Sequence, residues 1–492
     1  MQRFYNLIAG EKTPSSSGRW MASLDPYKNE NWSEVPDSNE ADVDAAVTAA
    51  RAAFLSPEWS GMSASTRGAL LRRLGDLITQ NAQKLAEIEV RDNGKLLNEM
   101  LLQLRYVPQW YYYYAGLADK IEGSVLPIDR ADHFTYTTWE PLGVVAAITA
   151  WNSPLLLLTW KLAPGLAAGN TFVIKPSEHA SASTLAFAEL FAEAGFPSGV
   201  INAVCGGPEV GVPLVSHPDV AKVAFTGSDA VGRAINRAIA GDLKHVTLEL
   251  GGKSPNIVFA DADLDAAAAG VASGIFAAAG QTCIAGSRLL VQRQIYDAFV
   301  DKVSNLAAGI KIGDPMDPDT QMGPLANAQH YKRVLGCIAD AEHEGARLVL
   351  GGKPHADTRG GLFVQPTIFC DVDNQSQLAQ REVFGPVLAV IPFDTEEEAL
   401  LLANGTNYGL GAGIWTKDMA RVFRFTKGLQ AGTVWVNTYR ALSYMAPFGG
   451  MKASGLGRES GQEMIKTYMQ TKTVWINNST QPPGNPFVMR LS

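Results

Sequence analysis

GVVAAITAWNSPLLLLTWKLAPGLAAGNTFVIKPSE occupies residues 143–178 and decides the fold. It begins and ends in short β-branched apolar runs, GVVAAITAW (143–151) and NTFVIKP (170–176), with a stretch of helical length between them. GVINAVCG (199–206) and VAKVAFTG (220–227) repeat the pattern, again separated by helix-like segments such as ASTLAFAELFAEAG. Buried strands alternating with amphipathic helices predict a parallel sheet covered on both faces. Upstream, residues 39–56 are Ala-rich with acidic residues near the start, where they complement a helix dipole, and 66–120 continue as long helical patterns.

Downstream, SPNIVFADADLDAAAAGVASGIFAAAG, SRLLVQRQIYDAFVDKV, ARLVLGG, FVQPTIF, GPVLAVIPFD and GTVWVN predict a second α/β series. VTLELGGKSP (246–255) lies between the two series, and its Gly-Gly and Ser-Pro predict a hinge or turn. The strand-like TVWI near the end of the chain needs a sheet edge to pair with, which points to a contact between subunits. There is no internal repeat or low-complexity segment.

At 492 residues the chain is expected to hold at least two domains. Hydrophobic residues at 46% and charged residues at 18% suit a large core. The net charge of −8 is spread without long runs of one sign, and no basic stripe offers itself to nucleic acid. Cys205, Cys283, Cys337 and Cys370 are far apart, which argues against a zinc site or disulfide framework and for a reducing compartment. The N-terminus lacks the apolar core of a signal peptide, and no long apolar run supports a membrane span. A cytoplasmic protein without bound metal is expected.

Cys283 sits in AAAGQTCIAGSR (277–288) among small uncharged residues, with no histidine nearby in the chain. It reads as a buried inert cysteine or as a nucleophile served by distant groups, since the thiolate is the reactive form. Glu249 ends an apolar strand before two glycines, a setting that charged residues avoid unless paired or functional. A salt bridge or a general base with a raised pKa would each account for it. Asn152 carries a side-chain amide able to complete an oxyanion hole. Lys175 and Glu178 follow a strand's C-terminal end, where α/β sheets bind ligands; the acidic residue suits a ribose hydroxyl and disfavours a 2′-phosphate. Gly227 and Ser228 form a strand-to-helix turn whose spacing departs from GxGxxG yet can still meet phosphate oxygens.

Together, AWNSPLLLLTWKLAPGLAAGNTFVIKPSE, FTGSDAVG, LELGGKSPNIVF, GQTCIAGSR, EVFGPVLAV and PFGGMKASGLGRE resemble, in order and spacing, the signature segments of the aldehyde dehydrogenase superfamily. The separation 283 − 249 = 34 residues also matches that family, and the likeness runs from about Phe4 to the terminal TVWI. The resemblance implies an α/β fold with a Rossmann-like cofactor domain (1–122 and 142–251), an α/β catalytic domain (252–454) and a small β oligomerisation element (123–141 and 468–492). It implies Cys283 as nucleophile, Asn152 and the Cys283 N–H as oxyanion donors, and Glu249 as activator of the water that hydrolyses a thioester. It implies NAD as cofactor, with NADP second, contacted by Trp151, Lys175, Glu178, Gly227, Ser228, Glu382 and Phe384. It implies a homodimer or homotetramer. Because relatives that transfer the acyl group to coenzyme A generally lack the glutamate, hydrolysis is expected.

The residues matching the family's substrate tunnel are mostly apolar or aromatic: Leu157, Trp160, Thr282, Ile284, Tyr439, Leu442 and Phe448, with Tyr106 or Trp110 from a helix. They predict a medium or large aliphatic or aromatic aldehyde. Ser153 stands where many relatives carry a bulky aromatic, which widens the tunnel. Arg440 aligns near the mouth and is either a handle for the carboxylate of a semialdehyde or a surface arginine. A cofactor-independent esterase using Cys283 is a further alternative.

Overall fold

The computed structural model describes residues 1–355, 360–481, 485 and 487. Two large sheets organise it. The first has strands in the order Gly455–Leu456, His245–Glu249, Val220–Thr226, Val144–Ile148, Thr171–Lys175, Ile201–Ala203, Asn6–Ile8 and Glu11–Thr13. The central strands, from His245–Glu249 to Ile201–Ala203, are parallel, and the flanking ones are antiparallel. Val144–Ile148 and Thr171–Lys175 are buried at every residue. Burial on both faces is why these strands read as continuous apolar runs without alternation.

The second sheet runs Arg347–Leu350, Thr367–Cys370, Val387–Phe393, Arg288–Gln292, Pro255–Val258, Gly411–Trp415 and Thr433–Val436. All its pairs are parallel except the first. The expected alternation is therefore present in both halves. VTLELGGKSP is the passage between them: strand His245–Glu249 ends in the first sheet and Pro255–Val258 begins in the second. So short a connection sets the C-terminal ends of the first sheet's strands against the N-terminal ends of the second's.

Helix Pro154–Ala168 is buried along its whole length, as expected of a segment that is apolar all round. From Val144–Ile148 the chain moves one way to Thr171–Lys175 and Ile201–Ala203. It then returns to the other side of Val144–Ile148 as Val220–Thr226. This reversal of strand order opens a crevice at the strand ends, the usual ligand position in open α/β sheets. Trp151 and Asn152 follow one of the two strands at the switch, and Gly227 and Ser228 follow the other.

One feature differs from the sequence expectation. The N-terminal region, which carried no clear signal, forms strands Trp20–Asp25 and Glu30–Pro36, joined by Gln2–Arg3 in a three-stranded sheet. TVWI finds its partner in the segment that the resemblance grouped with it: Met469–Asn477 pairs antiparallel with His133–Pro141 of its own chain, from Met469 opposite Pro141 to Asn477 opposite His133. Residues 124–126 bond along the outer edge of His133–Pro141, through Leu126 N to the Thr135 carbonyl and Thr137 N to the Ser124 carbonyl. Among the described residues the unpaired edge is therefore that of Met469–Asn477; Phe134, Trp475 and Ile476 are exposed. Of the expected oligomerisation element, residues 482–484, 486 and 488–492 lie outside the described residues. No helix among the described residues is long and apolar enough to cross a membrane.

Candidate active site

Cys283 lies between helix Leu264–Phe276 and strand Arg288–Gln292, in a loop held from several sides. Gln281 Nε2 donates to the carbonyls of Ala278 and Pro324, and its Oε1 accepts from the Ala326 amide. The chain crowds Cys283 from below, because a Cβ at Gly252 would lie 2.6 Å from the Cys283 carbonyl oxygen. Gly252 is thus required for the Cys283 loop to approach the passage between the sheets.

A cavity of about 260 Å³ brings Cys283 together with Asn152, Glu249, Glu382 and Phe384. Asn152 Nδ2 donates at 3.0 Å to the Gln281 carbonyl, which fixes the amide plane. A primary amide has two N–H groups, so the second is free for an oxyanion. Glu249 ends its strand in full burial, and neither carboxylate oxygen has a hydrogen-bond partner. Burial, then the nearby Glu459 charge, raise its pKa well above the ordinary glutamate value. Burial likewise pushes the Cys283 thiol up to about 12, with the Glu382 and Glu249 carboxylates adding to the effect. The thiol is therefore protonated at neutral pH until something stabilises its anion.

The other glycine after Glu249, Gly251, is explained by Glu382. Its Oε1 accepts from the Gly252 amide at 2.8 Å, and a Cβ at Gly251 would stand 2.4 Å from its Oε2. Burial raises the Glu382 pKa to about 7. Phe384 has φ +59, in the left-handed region, and His330 Nε2 bonds its carbonyl at 2.7 Å. Burial lowers the His330 pKa to about 4, so this ring is neutral and acts as a clamp on the loop. His330 and His179 both line the cavity, although neither is near Cys283 in the chain.

A second cavity of about 520 Å³ shares Trp151, Thr226, Gly227 and Ser228 with the first. Its far end is walled by Val212 and Val215 from one helix and by Val231 and Ile235 from another. Lys175 and Glu178 stand at its rim, Nζ to Oε2 3.5 Å. Ser228 caps helix Asp229–Ile239, its Oγ accepting from Val231 N at 3.3 Å, so the hydroxyl keeps its proton to donate. An apolar slot, a polar rim and a helix N-terminus leading to the thiol fit a dinucleotide lying across the crevice.

The proposed tunnel residues gather around the aromatic rings. Trp110 packs on Tyr106 at 5.2 Å and on Trp160 at 6.3 Å, and Trp160 packs on Phe448 at 5.1 Å. Leu157 lines the cavity of Cys283, Ile284 is buried, and Leu442 packs on the same core. Thr282 is half-buried beside the thiol. Tyr439 donates from its hydroxyl to the Ile284 carbonyl at 3.0 Å, and Arg440 Nη1 donates to the Ser273 carbonyl at 3.1 Å. Sequence reasoning missed Tyr113 and Tyr444, whose rings meet at 5.3 Å beside this group. It also missed Lys161 and Glu459, a wholly buried ion pair at 2.7 Å. A lysine inside LLLLTWKLAPG carries the same signal that singled out Glu249.

The profile of the aldehyde dehydrogenase family matches residues 12–474. The chain is 45% identical over 492 residues to the (Z)-2-((N-methylformamido)methylene)-5-hydroxybutyrolactone dehydrogenase of Acinetobacter baylyi, covering 100% of both proteins. It is 44% identical over 473 residues to human retinal dehydrogenase 2, covering 95% of this chain and 91% of that one. Betaine aldehyde dehydrogenase of Staphylococcus aureus, solved with NAD+, superposes with a TM-score of 0.97 at 38% identity over 100% of both chains. The NAD+ complex of an aldehyde dehydrogenase from Bacillus cereus gives 0.95 at 43% identity, covering 97% of each. The chain belongs to the aldehyde dehydrogenase family, an oxidoreductase that acts on aldehydes with NAD as its cofactor.

Proposed function

We propose that the enzyme oxidises a medium or large apolar or aromatic aldehyde to its carboxylic acid through a Cys283 thioester that water hydrolyses. One shared cavity supports this reading above all: it holds a thiol, an amide donor and an unpartnered buried carboxylate. Cys283 Sγ releases its proton to solvent and bonds to the aldehyde carbon, and Asn152 with the Cys283 N–H holds the oxygen of the thiohemiacetal. NAD, when bound, accepts the hydride that leaves this carbon. Trp151, Lys175, Glu178, Gly227 and Ser228 would hold its adenosine and phosphates, and Glu382 and Phe384 the nicotinamide end. Glu249 then removes a proton from water, which attacks the thioester and releases the acid and the thiol. Leu157, Trp160, Thr282, Ile284, Tyr439, Leu442 and Phe448, with Tyr106, Trp110 and Tyr444, would form the substrate walls.

Residues 1–122 and 142–251 are assigned to cofactor binding and 252–454 to catalysis. The element of residues 123–141 and 468–492 is assigned to a homodimer or homotetramer, the unpaired edge of Met469–Asn477 and the exposed Phe134 and Trp475 supporting that role. A cytoplasmic location accords with the free thiols of all four cysteines.

A second reading has a specific observation behind it. The Acinetobacter baylyi relative, matched end to end, is named for a 5-hydroxybutyrolactone, the ring-closed form of a 4-oxo acid. Arg440 at the tunnel mouth would then bind the carboxylate of a semialdehyde.

The deciding experiment is stopped-flow NADH formation in Cys283→Ser and Glu249→Gln. The first variant should bind NAD and form no NADH. The second should give a burst of one equivalent per site followed by slow turnover, and full steady-state rates in either would overturn the mechanism.

A further inference from the structure

We infer that the turn Asn93–Gly94–Lys95 is a positioning device for Asn152, holding its two neighbours through Trp151 on one side and Ser153 on the other. The inference rests on the oxyanion role proposed for Asn152. Asn93 Nδ2 donates at 3.3 Å to the Trp151 carbonyl, and Lys95 Nζ donates at 2.7 Å to Ser153 Oγ. The turn is itself fixed. Lys95 N donates to Asn93 Oδ1 at 3.0 Å, and Gly94 has φ +75, the left-handed cap of helix Ala64–Asn93.

These contacts close a ring. From Lys95 it passes to Ser153, along the backbone to Asn152, then through the 3.0 Å bond to the Gln281 carbonyl. Gln281 Nε2 donates to the Pro324 carbonyl at 3.3 Å, and a Cβ at Gly94 would lie 2.7 Å from Pro324 Cγ. The amide donor and the nucleophile loop are therefore referenced to one another through a single rigid turn. Catalysis of this kind is sensitive to such referencing, because donors must meet the place where charge develops.

Ser153 shows that the arrangement has a cost elsewhere. It stands at the N-cap of helix Pro154–Ala168, where a serine normally accepts from the first turn, yet it makes no side-chain cap bond. Lys95 takes its hydroxyl instead. Lys95 is buried, and the Glu99 and Glu89 carboxylates offset its charge; that charge also favours the Cys283 thiolate. A residue without a hydroxyl at position 153 could not accept this bond.

The test is a double-mutant cycle with Asn152→Ala, Ser153→Ala and the pair, reading kcat, KM and NAD affinity by fluorescence. Ser153→Ala alone should lower kcat by about 3- to 10-fold with NAD affinity unchanged, and Ser153→Thr should restore most of it. In the Asn152→Ala background the same change should cost less than about 2-fold, since the donor it positions is gone. Lys95→Met should lower kcat and slow alkylation of Cys283 by iodoacetamide; if it fails to fold, the serine cycle decides alone. A full, additive loss from Ser153→Ala in the double variant, or wild-type kcat in the single one, overturns the inference. Undiminished kcat in Asn152→Ala would instead overturn the oxyanion role on which it rests.

Discussion

Lys161 Nζ lies 2.7 Å from Glu459 Oε1, and no part of either side chain reaches solvent. The same ammonium donates at 2.7 Å to Thr226 Oγ1, and Thr226 pairs with Glu249 across the first sheet. A buried ion pair thus lies beside the carboxylate proposed as base, and it bears on that base from both signs. After burial, the Glu459 charge raises the Glu249 pKa, whereas Lys161 lowers it. Such a pair is stable only while both partners remain, because each alone is an uncompensated buried charge.

Glu459→Gln should therefore cost about 3–5 kcal/mol of stability, visible as a lower melting temperature. It should also move the acid limb of kcat. Glu249 works as a base only when ionised, so the rate falls as pH drops through its pKa. Removing the Glu459 charge eases that ionisation and shifts the limb to lower pH. Lys161→Met removes the opposing charge and shifts it to higher pH. Profiles of kcat against pH in the two variants should move apart; movement in one direction would show that the pair does not act on Glu249.

Cys283 offers a second electrostatic test. With its thiol pushed up to about 12, inactivation of cofactor-free enzyme by iodoacetamide should climb steadily from neutral to alkaline pH without a plateau. Glu382 contributes to this shift and itself titrates at about 7, so at mildly alkaline pH it is an anion repelling the thiolate. Glu382→Gln should then speed alkylation several-fold at that pH and leave the neutral-pH rate less changed. Equal rates in both enzymes would mean that the carboxylate does not reach the thiol electrostatically.

Which parts of this were legible in the sequence follows from what each residue answers to. Strands Val144–Ile148 and Thr171–Lys175 were plain because burial on both faces writes itself as an apolar run. Glu249 stood out because its apolar neighbours are wrong for an ordinary charged residue, whereas the small neighbours of Cys283 suit an inert thiol and only the family's motifs and spacing joined the two. His330 and Lys95 were not. Each is unremarkable in its own segment and gains meaning only from a carbonyl or hydroxyl brought up by another, Phe384 and Ser153. The N-terminal strands were illegible for a different reason: Gln2–Arg3 and Glu11–Thr13 are short, polar and exposed, and their neighbours in the sheet hold them in place.

Arg440 separates the two substrate readings. Its guanidinium gives one N–H to the Ser273 carbonyl and its backbone sits at φ +65, so the side chain is aimed by the loop. If it is a carboxylate handle, Arg440→Ala should raise KM for an ω-carboxy aldehyde by about 10-fold or more and leave an aromatic aldehyde within about 2-fold. Equal losses on both would leave the arginine as a brace of its own loop, with the apolar tunnel as the source of selectivity.

The glycine pair after Glu249 should separate placement from stability. At Gly251 a new Cβ meets Glu382 Oε2 at 2.4 Å, the far end of a side chain that can swing aside. At Gly252 it meets the Cys283 carbonyl at 2.6 Å, a backbone atom that cannot move without moving the thiol. Gly251→Ala should accordingly melt within about 1 kcal/mol of the parent while raising KM for NAD, because the displaced carboxylate leaves the Gly252 amide and with it the position proposed to hold the nicotinamide end. Gly252→Ala should lose both stability, by about 1–3 kcal/mol, and kcat, since the overpacked backbone pushes Cys283 away from Asn152. Thermal melts with NAD titrations on the two variants check the distinction. If Gly251→Ala kept the parent's KM for NAD, Glu382 would have no part in holding the cofactor.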